Sequence, residues 1–149
     1  MARVADRFLV LATALDTMPA VDRKSISLDE RDHQVGVIRG EAVFVDGSCF
    51  RFVEHLDVAA PEQRRRYAYE YRRRPRGALV FRYDNVPHHG VEGLETFPHH
   101  VHRDGGMTIE CAEPPDPTAL LEGLKRHIRV RGRPSVAEPV DELERRAAG

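Results

Sequence analysis

SISLDERDHQVGVIRGEAVFVDGSCFRFVEHLDV, residues 25–58, decides the fold. Its apolar and β-branched runs are short and flank Asp46-Gly47, a dipeptide suited to a two-residue hairpin turn. Such a turn predicts a register in which Val45 faces Ser48, Val43 faces Phe50, Glu41 faces Phe52, Arg39 faces Glu54 and Val37 faces Leu56. Arg39 and Glu54 are then expected as cross-strand neighbours within salt-bridge reach.

Working outward, RRYAYEYRR and ALVFRYD flank Pro75-Arg76-Gly77 and read as a second hairpin. A four-residue loop, Arg74 to Gly77, pairs Tyr71 with Val80, Tyr69 with Arg82 and Tyr67 with Asp84, so one face carries three tyrosines beside an arginine and an aspartate. The same tyrosines also suit a half-buried core with hydroxyls reaching water. A further strand is expected at His100-Val101 or at Met107 to Cys111. Upstream, Val4, Phe8, Leu11, Leu15 and Met18 recur at steps of three and four, as one apolar helix stripe. Downstream, Asp116 suits an N-cap and Pro117 the first helical position. Leu120, Leu121, Leu124 and Ile128 form the stripe, and Gly132-Arg133-Pro134 the stop. Short turns rather than crossover helices join the strands, which excludes a parallel sheet. The expected class is α+β: an antiparallel meander of four to five strands, with an N-terminal and a C-terminal helix packed on one face. Residues 1–131 are read as one domain and 132–149 as a C-terminal tail.

The chain has 149 residues, 41% hydrophobic and 32% charged, which describes a soluble globular protein. The first residues, MARVADRFLVLATALDTM, superficially resemble a signal peptide, but Asp6 interrupts the basic region and no cleavage site follows, so a helix and a cytoplasmic location are expected. No segment offers the ~20 apolar residues that a bilayer span needs. Cys49 and Cys111 are too few for a disulfide framework and wrongly spaced for zinc; both are expected to be inert, half-buried thiols.

Net charge is −1, yet residues 64–76 hold seven arginines and one glutamate, with tyrosines between them. Guanidinium groups meet phosphates bidentately and aromatic rings stack on bases, so RNA is an expected partner; a solvated strand face is the plainer reading. Arg51, Arg72, Arg74, Tyr67, Tyr69, Tyr71 and Asn85 are the substrate-binding candidates.

Just beyond that strand, PHHGVEGLETFPHHVH, residues 87–102, gathers five of the eight histidines. Pro87 and Pro98 stiffen the approach to each His-His pair, and Gly90 and Gly93 let the chain turn back, with Val91, Leu94 and Phe97 as apolar anchors. The loop is expected to bring His88 or His89 close to His100 or His102, near Arg82 and Asp84. The favoured chemistry is metal-independent ribonuclease action without a cofactor. A neutral histidine or carboxylate takes the 2′-hydroxyl proton, a protonated histidine supplies the leaving 5′-oxygen's proton, and an arginine steadies the phosphorane. His88, His89, His99, His100, His102, Arg82, Asp84 and Glu54 are the catalytic candidates. One alternative is a metal-dependent hydrolase, in which His100 and His102 share one side of a strand and Asp84 with His88 or His89 completes the site. The other is a non-catalytic module that binds nucleic acid or a partner, its histidines only ordering the loop.

Phe81-Arg82-Tyr83-Asp84-Asn85, followed by Pro87-His88-His89 and Phe97-Pro98-His99-His100-x-His102, resembles the signature of the TumE-type toxins of prokaryotic toxin–antitoxin systems. Gly36-x-Ile38-Arg39-Gly40, Phe44-x-Asp46-Gly47-Ser48 and Tyr67-Ala68-Tyr69-Glu70-Tyr71 resemble the same family in order and spacing, over roughly residues 34–130. Val86, Gly90 and Val101 depart from its pattern, where alanine, proline and lysine are expected. The resemblance implies a toxin neutralised by a cognate antitoxin from a neighbouring gene, and implies no particular catalytic set. A homodimer is a further candidate assembly.

Overall fold

The computed structural model describes residues 2–128. Helix α1 (Val4–Asp16) leads into β1 (Val21–Glu30), β2 (Val35–Phe44), β3 (Cys49–Asp57), β4 (Arg64–Arg72), β5 (Leu79–Asp84), β6 (His100–Arg103) and β7 (Thr108–Cys111); helix α2 (Pro117–His127) follows. The strands form one antiparallel sheet in sequence order, β1 to β7. The fold class is therefore α+β as expected, but the sheet has seven strands rather than four to five. Val21–Glu30 opens it, and His100–Arg103 and Thr108–Cys111 are both strands rather than alternatives. The expected stop at Gly132-Arg133-Pro134 and the tail 132–149 lie outside the described residues.

Both helices cover the same sheet face. Val4, Leu11 and Leu15 of α1, with Met18 beyond its end, meet Leu120, Leu121 and Leu124 of α2 over Ile38, Phe44, Phe50, Phe52 and Leu56. Helix α2 starts as its sequence dictates: the Asp116 carboxylate accepts the Thr118 N–H at 3.0 Å, and Pro117 takes the first turn, where its missing N–H is harmless. Cys49 is buried, whereas Cys111 is exposed rather than half-buried, and the two are free thiols.

Both expected hairpin registers are off by one residue. Between β2 and β3, Val43 pairs with Cys49, Ala42 with Phe50, Gly40 with Phe52 and Arg39 with Val53. Val45, Asp46 and Gly47 form a three-residue loop closed by Gly47 N–H to the Phe44 carbonyl at 2.9 Å, with only Gly47 at positive φ (86°). A two-residue type I′ turn needs positive φ at both central positions; one left-handed residue after a tight turn is the three-residue alternative. Apolar matching favours it, since Ala42 and Gly40 now face Phe50 and Phe52, where the other register sets Glu41 against Phe52. Arg39 and Glu54 consequently lie on opposite faces, and the expected salt bridge between them does not form.

At the second hairpin the four-residue loop is as expected, Arg73 N–H bonding the Ala78 carbonyl at 3.1 Å, but a β-bulge follows at Tyr71/Arg72. Arg72 pairs with Leu79 and Tyr71 with Phe81, so Val80 is the extra residue, and beyond it Tyr69 meets Tyr83 and Glu70 meets Arg82. The tyrosines therefore share their face with Phe81 and Tyr83, not with Arg82 and Asp84.

Gly40 is the tightest point of the core face: a Cβ there would sit 2.3 Å from the Phe52 ring. Gly40→Ala should cost about 1–3 kcal/mol through overpacking, read as a lower urea midpoint with unchanged slope.

Candidate functional site

The sheet face away from the helices is a trough of about 590 Å³ lined by Arg39, Glu41, Arg51, His55, Glu70 and Arg82 among others. It follows from strand alternation: these residues occupy the positions between the core residues of β2 to β5. Glu41 pairs with Arg51 at 3.1 Å, and Glu70 with Arg72. Burial, then the neighbouring Arg39 and Arg66, hold the His55 imidazole below its ordinary pKa, so it remains neutral at physiological pH.

At the β5–β6 end of the trough, the pairing of Asp84 with His100 and of Arg82 with His102 gathers four polar side chains. The His100 Nε2 lies 3.1 Å from Asp84 Oδ1 and 3.1 Å from His102 Nε2, while His102 Nε2 lies 3.4 Å from Asp84 Oδ2. His100 and Asp84 are buried, at 0% and 4% side-chain exposure. Each carboxylate oxygen already accepts one hydrogen bond: Oδ1 from Val86 N–H at 2.9 Å, Oδ2 from Arg82 Nε–H at 3.1 Å. His100 Nδ1 lies 2.8 Å from the Pro98 carbonyl. His102 is held below its ordinary pKa, burial outweighing the opposing pull of Asp84.

The loop between β5 and β6 folds His88 over this group, its ring centroid 5.2 Å from that of His100 and 6.1 Å from that of His102. Ligand atoms of His88, His100 and His102 lie within 4.8 Å of one another, close enough to share a metal ion. Of the loop's expected anchors Val91 is fully buried, Leu94 is half-buried and Phe97 is exposed. Arg82 lines both the trough and the smaller hollow of about 320 Å³ formed with Asp84, His88 and His102, so the two adjoin at its side chain.

Other sequence candidates sit elsewhere. His89 is fully exposed and pairs with Glu92 at 3.3 Å. His99 points to the opposite face, its Nδ1 3.0 Å from the Tyr67 hydroxyl. Tyr67, Tyr69 and Tyr71 are buried in the helix-covered core and present no ring face to a base; burial raises all three phenols, Tyr71 to about 12. Asn85 ties β4 to the end of β5, accepting Tyr67 N–H at 2.9 Å through Oδ1 and donating to the Arg65 carbonyl at 3.2 Å. Arg72 binds Glu70 and the Gly77 carbonyl, and Arg74 is an exposed turn residue.

Glu54 belongs to a separate buried network. Arg7 donates through Nε and Nη2 to its two oxygens at 2.9 and 2.7 Å, and the Tyr69 hydroxyl donates to it at 2.5 Å. Arg64 bonds the Tyr69 hydroxyl at 2.9 Å and lies over the Tyr67 ring, 5.2 Å from its centroid. Sequence reading missed Arg7 and Arg64, yet a signal was present. Arg7 is in phase with Val4 and Leu11 on the buried helix stripe, and Glu54 with Phe50, Phe52 and Leu56 on the buried strand face.

The profile of the family described as Toxin TumE matches residues 11–131, most of the chain, and the chain belongs to that family. Membership points to a toxin of a toxin–antitoxin system, and with it to an antitoxin partner. No curated protein and no solved structure matches the chain. Among the described residues no helix is long and apolar enough to cross a membrane.

Removing Arg7 would strand a fully buried carboxylate. Arg7→Met should destabilise by about 3 kcal/mol, whereas adding Glu54→Gln should recover most of the loss, the non-additivity being read from a double-mutant cycle of urea unfolding.

Proposed function

We propose that this toxin acts on RNA and cuts it at the Asp84–His100–His102 cluster, with the strand laid along the arginine-lined trough. The carrying observation is that Arg82 belongs to both: it lines the trough and donates to Asp84 at 3.1 Å. Arg39 and Arg51 are exposed on the same face, and cations along a groove suit the backbone of an extended single strand. Phosphodiester cleavage needs a proton acceptor, a proton donor and a cation against the phosphorane, and the cluster offers imidazole and carboxylate groups beside a guanidinium.

The binding surface differs from the expected one. The buried tyrosines cannot stack bases, so affinity would rest on phosphate contacts and be strongly salt-dependent. Reading the chain as a binding module without chemistry has the trough in its favour, but does not account for the buried ionisable groups at its end.

Expressed alone, the chain should arrest growth, and co-expression of the neighbouring antitoxin should relieve the arrest. His100→Ala and Asp84→Asn should each abolish both arrest and RNA cleavage while circular dichroism stays native. Arg39→Ala should leave cleavage chemistry intact but weaken RNA binding and reduce its log–log salt slope by about 0.7. RNA that stays intact while toxicity persists would move the target elsewhere; RNA bound but never cut would favour the binding module.

A further inference from the structure

We propose that Asp84, His100 and His102 hold a divalent transition-metal ion, zinc by its geometry, with His88 recruited from the loop as the fourth ligand. The inference does not rest on the RNA reading: with the ion bound, these groups are its ligands and not carriers of protons.

The first argument is the tautomer of His100. Its Nδ1 lies 2.8 Å from the Pro98 carbonyl, which can only accept, so Nδ1 carries a hydrogen. In the neutral ring Nε2 is then a bare lone pair, and it lies 3.1 Å from Asp84 Oδ1 inside the protein. Lone pair against carboxylate is repulsive there, and something positive belongs between them. Letting His102 donate its Nε2–H to His100 satisfies that pair but leaves the His100–Asp84 contact as it was. A proton on His100 Nε2 serves one line of approach, whereas an ion bonds atoms converging from several directions.

The second argument is size. A tetrahedral ion with bonds of about 2.0–2.1 Å separates its ligand atoms by roughly 3.3–3.4 Å. His100 Nε2 lies 3.1 Å from both Asp84 Oδ1 and His102 Nε2, two such edges, while Asp84 reaches His102 Nε2 through its other oxygen at 3.4 Å, so a small turn of the carboxylate would complete the triangle. Imidazole nitrogen with a single carboxylate is also the donor set that zinc and its first-row neighbours take, rather than calcium or magnesium.

The third argument is the supporting shell. Ligating histidines commonly donate their other N–H to a carbonyl, as His100 does to Pro98, and ligating carboxylates are themselves hydrogen-bonded, as Asp84 is by Val86 and Arg82. His88 differs. Its Nδ1 accepts the Gly90 N–H at 3.1 Å, so it must exchange that bond for the ion. Because both groups sit in an exposed loop, water can take over the Gly90 N–H. Sequence alone favours metal-free chemistry at these histidines; the fixed tautomer and the edge lengths favour an ion.

The test uses the full chain, made cell-free, stripped by chelator and titrated with cobalt(II), then zinc. One equivalent of cobalt should give the intense visible bands of a tetrahedral site. Zinc should displace it and raise the thermal midpoint. His100→Ala and Asp84→Asn should abolish the bands, His88→Ala should weaken binding roughly tenfold or more, and His89→Ala should change nothing. Long-range nitrogen–proton spectra of the unmutated protein should show His100 and His102 Nε2 shifting on zinc addition, a readout independent of whether any variant folds. Folded protein that takes up neither ion, or whose binding survives His100→Ala and Asp84→Asn, overturns the inference. RNA cleavage by the stripped chain without ion uptake would leave the RNA reading standing alone; ion uptake without cleavage would do the reverse.

Discussion

Strand parity is the constraint on which the rest of the molecule depends. Side chains alternate with a period of two, so one residue more or less in a turn sends every group beyond it to the other face. Two local features fix that parity here: the three-residue loop closed by Gly47, and the bulge at Tyr71/Arg72. Together they place Arg39, Arg51, Arg82, Asp84, His100 and His102 on the face away from the helices, with Phe50, Phe52, Glu54 and the tyrosines beneath them. Without the bulge, Asp84 would stand opposite Tyr67 and the polar cluster would be drawn into the aromatic core.

The two buried polar groups illustrate what completion means in such a sheet. Glu54 is fully buried, yet both its oxygens meet the Arg7 guanidinium and one also receives the Tyr69 hydroxyl. Its charge is answered from within the fold, by a helix residue arriving at the strand face. Asp84 is nearly as buried, but its histidine neighbours bring nitrogens whose hydrogens are limited in number and direction. One network closes on itself, and the other points its acceptors toward a common centre at the edge of a solvent-open trough. A structural role is sufficient for the first. The second has the Arg82 guanidinium on one oxygen and two histidine nitrogens beside the carboxylate, a gathering of ionisable groups of the kind found where a protein binds or does chemistry.

Much of this was legible in the sequence. Both helices, with their stripes and the Asp116-Pro117 start, follow from periodicity and capping, because those signals act within one or two turns. The existence of the hairpins and the gathering of His88, His100, His102, Arg82 and Asp84 were also readable, since prolines and glycines constrain the connecting loop locally. Register was not. Asp46-Gly47 fits both a two-residue and a three-residue loop, and the choice rests on how Ala42 and Gly40 meet Phe50 and Phe52 across the sheet. The bulge is harder still, because nothing in Tyr71-Arg72 or Val80 distinguishes an unpaired residue from a paired one.

The register errors also explain why the tyrosines were misplaced while His100 and His102 were not. A tyrosine in a strand is amphipathic, suited equally to a core and to a nucleic-acid surface, so its role depends entirely on parity. His100 and His102 are two residues apart and must share a face in any register; Asp84 joins them through direct strand pairing with His100. The pair was therefore robust to the error that displaced its neighbours. The same reasoning separates His99 from His100: adjacent strand residues point oppositely, so a His-His dipeptide supplies each face with one ring. His99 accordingly meets Tyr67 beneath the sheet, while His100 meets Asp84 above it.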